Sequence, residues 1–107
     1  MMKVQNLSQL KKALQIGAEY RMIAHRIHPE YIGFVRVVNK VQTNCVYSKI
    51  KDQPEHKYSQ HNDGLGIRMD FLKTSHYEFG DTVKVYCKSN DKTTPDFEFE
   101  ILKTGTN

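Results

Sequence analysis

The last apolar segment constrains this chain more than any other. Phe97, Phe99 and Ile101 alternate strictly with Asp96, Glu98 and Glu100. Successive side chains of a strand point to opposite faces, so this period of two predicts a strand with one buried face and one acidic face. Phe97, Phe99 and Ile101 are expected in the core, and Asp96, Glu98 and Glu100 form an acidic ladder with Glu98 in water. Upstream, Val83 and Val85 supply a second short alternation, separated from the first by a polar stretch around Ser89 to Pro95. Residues 82–87 are therefore expected to pair with residues 97–102 as a hairpin, entered through a turn at Phe79-Gly80-Asp81.

The N-terminal part follows a different period. Leu7, Leu10, Ala13 and Leu14 fall at helical spacing within residues 6–17. Asn6 or Ser8 can cap the start and Gly17 can end the element. Lys11, Lys12 and Gln15 then face water while the leucines pack inward. From Glu19 onward the chain becomes rich in Val, Ile, Tyr and Phe, which fit strands. Residues 19–27 place Tyr20, Met22 and Ala24 on one face and Ile23 and Ile27 on the other, until His28-Pro29-Glu30 breaks the strand. Residues 32–42 place Val35, Val37 and Val41 on one face, with Arg36 and Lys40 on the other beside Phe34 and Val38. A turn at Thr43-Asn44-Cys45 returns the chain antiparallel through residues 46–50.

Residues 51–64 contain no aliphatic side chain and read as a long loop with Tyr58 at its centre, a candidate contact surface. Residues 65–72 resume apolar content as an extended piece. These elements predict an α+β fold: one N-terminal helix plus a small, mostly antiparallel curled sheet or partly open barrel, SH3-like or OB-like, of five or six strands. A single domain over residues 1–107 follows from the length.

Composition narrows the function classes. A chain of 107 residues, 38% apolar and 26% charged, supports one core but not a core plus a deep enclosed cofactor cavity. No run approaches the ~18–20 apolar residues that cross a bilayer, and the polar start lacks a signal-peptide core, so a cytoplasmic protein without a membrane partner is expected. Cys45 and Cys87 lie far apart without CxxC spacing and are expected as reduced thiols. The net charge of +4 is unevenly spread. Residues 1–51 hold nine Lys and Arg against Glu19 and Glu30, and the remainder holds seven against ten Asp and Glu. One side of the fold can thus be electropositive and another acidic, unless strand pairing mixes the halves.

Three stretches carry a family likeness: Leu7-Ser8-Gln9-Leu10-Lys11-Lys12, the run from Val38 to Tyr47, and Phe71-Leu72-Lys73-Thr74-Ser75 before the Phe-Gly-Asp turn. Together they resemble small proteins of bacterial phages and integrated mobile elements, in which Gly often stands where this chain has Cys45. The resemblance implies a bacterial, mobile-element setting and brings no activity or site residue with it.

Residue chemistry adds no catalytic signature. His25, His28, His56, His61 and His76 lack the i, i+4 helical spacing of a metalloprotease motif, and His25 and His28 would point to opposite faces of a strand. Neither cysteine begins a helix, and Asp63-Gly64-Leu65-Gly66 lacks the spacing of a phosphate loop. No metal or organic cofactor is expected, and no enzyme. Two binding classes stay open. A protein-interaction or accessory module would use strand edges, the long loop and the acidic ladder. A protein that binds single-stranded nucleic acid would use Arg36, Lys40, Lys49, Lys57 and Tyr58, which combine charge with a stacking ring. The unequal charge and an unpaired strand edge also suit a homodimer.

Overall fold

The computed structural model describes residues 3–42, 45–53, 55–56, 67–68, 77–86 and 94–106. Helix α1 runs Leu7–Ala13. It begins where Asn6, in extended conformation, accepts the Gln9 amide on its side chain at 2.8 Å, which satisfies one of the orphan donors of the first turn. Gly17 follows at φ +92, a conformation that a residue with a Cβ rarely adopts, and turns the chain into the sheet.

The strands are β1 (Glu19–His25), β2 (Val35–Gln42), β3 (Cys45–Ile50), β4 (Ile67–Arg68), β5 (Tyr77–Phe79), β6 (Val83–Val85) and β7 (Phe97–Lys103). Among the described residues they form one antiparallel sheet in the order β4-β3-β2-β1-β7-β6-β5. Six strands meet the expected number, and the two-residue β4 adds a short edge. The sheet is not closed into a barrel, since β4 and β5 stand at its two ends. Two meanders, β1 to β4 and β5 to β7, are joined where the first strand meets the last.

The terminal hairpin has the expected register. Val83 pairs with Phe99 and Val85 with Phe97. Val83, Val85, Phe97, Phe99 and Ile101 are all buried. They join Leu10, Leu14, Tyr20, Met22, Val38 and Val46 in one core between α1 and the inner face of the sheet. Burial of that apolar surface is the main stabilising term, at ~25 cal/mol per Å² removed from water. The Tyr20 ring meets Phe99 edge to face at 5.4 Å between centroids. The C-terminal segment closes over the end of α1. There Gly105 donates to the Ala13 carbonyl at 3.0 Å and Thr106 to that of Ile16 at 3.0 Å. A Cβ on Gly105 would lie 2.1 Å from the Gln15 carbonyl oxygen, so this closure requires glycine.

Two expectations about faces are corrected. Arg36 is not on an exposed basic face with Lys40; it is fully buried, on the same inward side as Val38. The pairing of β2 with β3 shifts between Val38 and Lys40, the irregularity of a β-bulge at Asn39, and one extra residue reverses the faces of everything after it. Lys40 therefore points outward and Val41 falls opposite the buried Val46. The acidic ladder is likewise not a free face. Asp96 and Glu100 are buried, and Glu98 is half-buried where it accepts the Thr82 hydroxyl.

Candidate functional site

Why Arg36 can be buried follows from its neighbours. Ser48, across the β2–β3 pair, accepts the Arg36 Nε on its hydroxyl at 2.8 Å and an Nη2 on its backbone carbonyl at 3.3 Å. The same Ser48 oxygen shares a hydrogen bond of 2.6 Å with the Tyr20 hydroxyl. The guanidinium also lies over the Tyr31 ring, 5.8 Å from its centroid, within cation–π range. Burial raises the Tyr20 phenol above its ordinary pKa, against the opposing pull of Arg36 and Ser48. A cation held this way lies inside the core and out of reach of a nucleic-acid strand.

Of the other residues expected at a nucleic-acid surface, Lys40 and Lys49 are exposed on the outer side of the β2–β3 hairpin. Lys40 lies over the half-buried Tyr47, with Nζ 5.5 Å from the ring centroid. Lys57 and Tyr58, like most of the 51–64 loop, lie outside the described residues. The structure thus keeps Lys40 and Lys49 together beside Tyr47 and removes Arg36 from the set.

The charge halves are mixed rather than separated, because β1 of the basic half lies beside β7 of the acidic half. Arg21 is cross-strand partner of Glu100 and donates to it through Nε and Nη2. Arg26 stands 3.7 Å from Asp96, and Lys3 stands 3.6 Å from Asp81. Each of these pairs joins the two halves. Within the first half, Glu19 accepts Lys51 Nζ at 3.0 Å, and that bond raises the lysine above its ordinary pKa.

The connection between β1 and β2 is where the molecule departs most from the rule of apolar inside and polar outside. Its central turn, a single 3-10 turn at Pro29–Tyr31, is flanked by Ile27, 52% exposed, and Ile32, 43% exposed. Scattered exposed aliphatics are ordinary on any surface, and Ile16, Ile23 and Val41 are examples. Two in one short connection, with an exposed Pro29 between them and half-buried Tyr31 and Phe34 beside them, make a different arrangement. The backbone there is anchored rather than loose. Arg26 donates to the Asp96 carbonyl at 2.8 Å at one end, and Gly33 donates to the Met22 carbonyl at 2.9 Å at the other. Between them Tyr31 and Ile32 close the turn on the His28 and Pro29 carbonyls.

Beneath this segment is a cluster of rings. His25 stacks on Phe97 at 5.7 Å and meets Tyr31 edge-on at 5.4 Å. His28 is 5.4 Å from His25 and 5.0 Å from Tyr31, and its Nδ1 is 3.1 Å from a Glu30 carboxyl oxygen. The expected opposite orientation of the two histidines fails because β1 ends at His25, so His28 is free of strand alternation and folds back. Phe34 in turn contacts His56, at 5.1 Å between rings. Sequence reasoning missed this surface because Ile27 looked like the last residue of a strand. The available signal was Pro29 followed by Ile32 and Gly33, an apolar residue stranded between two chain breakers.

Among the described residues no group of three His, Cys, Asp or Glu side chains is placed to hold a metal ion, and no helix is long and apolar enough to cross a membrane. Cys45 is a half-buried free thiol, and Cys87 lies outside the described residues. In comparisons with family models, curated proteins and solved structures, none matches this chain.

Proposed function

We propose that this chain is a non-enzymatic binding protein that docks on a protein partner through the connection between β1 and β2. The observation that carries the reading is the pair of exposed isoleucines, Ile27 and Ile32, on a backbone anchored at both ends. Exposed apolar side chains on a preorganised segment lose little conformational freedom on association, and that is the condition for a small contact to yield useful affinity. The partner surface this segment fits is apolar at its centre, because the side chains that the anchored backbone offers are Ile27 and Ile32. In the setting that the three resembling stretches imply, such a protein is an accessory module of a bacterial mobile element.

A comparative capture tests this. The parent chain and an Ile27→Asp, Ile32→Asp double variant, immobilised side by side, should differ in one or a few retained proteins that bind the parent alone. Identical retention by both chains, with the variant shown folded by circular dichroism, would refute docking through this segment.

A second reading is favoured by one observation: Lys40, Tyr47 and Lys49 share the outer face of the β2–β3 hairpin, where charge and a ring can meet single-stranded nucleic acid. Fluorescence anisotropy with labelled oligonucleotides at several salt concentrations decides it. A steep salt dependence that a Lys40→Ala, Lys49→Ala variant flattens supports nucleic-acid binding, and no binding at ~50 mM salt ends it.

A further inference from the structure

The His25 imidazole does more than fill space beneath the docking segment. Its Nδ1 accepts the backbone N–H of Ile27 at 3.3 Å and that of His28 at 3.0 Å. A ring nitrogen that accepts carries no proton, so the ring is neutral, with its proton on Nε2. These two bonds tie down the stretch between the anchors at Arg26 and Gly33. We propose that His25 is a pH-sensitive latch: the neutral ring holds the segment carrying Ile27 and Ile32 in its docking shape, and protonation releases it. The latch would regulate the docking site proposed above and rests on that reading for its purpose, although its action is a property of the chain alone.

Protonation would set an Nδ1–H against two backbone N–H groups, and all three would be donors. Both hydrogen bonds must then break, and two amides at the edge of a ring cluster must find other acceptors. The surroundings favour the neutral ring. Burial lowers the His25 pKa below its ordinary value, and the neighbouring His28 lowers it further, while Glu30 and Asp96 oppose both. Those carboxylates are engaged elsewhere, Glu30 with His28 and Asp96 with Arg26. On the remaining sides His25 meets the uncharged faces of Phe97 and Tyr31, and the Arg36 guanidinium lies beyond Tyr31.

The sign follows from the lowered pKa. Above the ordinary histidine value both the folded and the unfolded chain hold a neutral ring, and the latch is closed. As pH falls below ~6.5 the unfolded chain takes up the proton first, so the closed form loses stability until the folded ring is protonated as well. His28 is exposed and beside Glu30, and a local measurement has to separate the two rings.

Heteronuclear magnetic resonance on the isotope-labelled full chain does so, with the pH taken from about 7.5 to about 4.5, on either side of the ordinary histidine value. At the upper end His25 should show an unprotonated Nδ1. The Ile27 and His28 amides should then shift with the midpoint of His25, and their protection from hydrogen exchange should fall by about tenfold or more on protonation. His25→Phe keeps a ring against Phe97 but cannot accept, and it should leave both amides unprotected at every pH. His28→Gln should keep a His25 transition and move its midpoint upward, since the neighbouring His28 lowers it. An Nδ1 that is protonated at neutral pH, or amides that follow His28 instead of His25, would overturn the latch. If His25→Phe does not fold, the titration of the parent chain still decides. The two readings fail separately. A flat titration sinks the latch and leaves docking standing, whereas equal capture by the parent and the Ile27→Asp, Ile32→Asp variant sinks docking and leaves the latch.

Discussion

The β1–β7 seam and the β1–β2 connection leave the same strand and treat their side chains in opposite ways. In the seam, Tyr20, Met22, Phe99 and Ile101 are buried, and charges from the two halves of the chain meet as Arg21 with Glu100. In the connection, Ile27 and Ile32 face water while the polar groups are satisfied locally, by His25, His28 and the turn itself. Satisfying backbone groups is required of any segment, but exposing two isoleucines contributes nothing to folding. The seam holds the fold together, whereas the exposure of Ile27 and Ile32 is a feature of the connection that the fold does not need.

That contrast can be broken most severely at the seam. Phe99→Ala removes a fully buried ring from the centre of the core, against Tyr20, and should cost ~3–5 kcal/mol by chemical denaturation. A smaller loss would mean that the core can collapse around the cavity and that the seam is less tightly packed than its burial indicates. Ser48→Ala is the next test. It leaves the buried Arg36 Nε and the Tyr20 hydroxyl without their shared oxygen and should cost ~1–3 kcal/mol. An unchanged midpoint would show that the polar cluster beneath β2 and β3 rearranges freely. Arg21→Ala should cost ~1–2 kcal/mol: solvent screens the 44% exposed Arg21, but the change leaves Glu100, 11% exposed, without its cation. Its effect should shrink further in high salt.

The same contrast marks what the sequence could and could not disclose. Phe97, Phe99, Ile101, Val83 and Val85 were legible because strict alternation leaves only one face for the core. The Leu7–Ala13 helix was legible from its stripe and its Asn6 cap. Arg36 was not, because alternation across residues 35–42 is interrupted by a bulge that no residue type there announces, and counting by twos through Asn39 put Arg36 and Lys40 on one face. The acidic ladder misled for a related reason. Asp96 and Glu100 obey the alternation but lie beside Arg26, just past the end of β1, and Arg21 within it, neighbours far away in sequence that only the sheet order supplies. The candidate site was hidden most fully, since two isoleucines in a chain of ordinary composition look like core until the strand is seen to stop before them.

The connection should give the smallest change in stability and the largest change in behaviour. Ile27 and Ile32 are about half exposed, at 52% and 43%, so Ile27→Asp with Ile32→Asp removes only part of the apolar burial of each and should lower the unfolding free energy by about 1 kcal/mol or less. Neither backbone anchor runs through these side chains, since Arg26 and Gly33 hold the segment by main-chain hydrogen bonds. The latch bond from the Ile27 N–H to His25 is likewise a backbone contact and survives the change of side chain. Denaturation midpoints of parent and double variant, measured near neutral pH where His25 is unprotonated, should therefore coincide within that margin. A loss comparable with that of Ser48→Ala would show that the two isoleucines pack against the body of the protein, and the case for a surface kept apolar for a partner would fall with it.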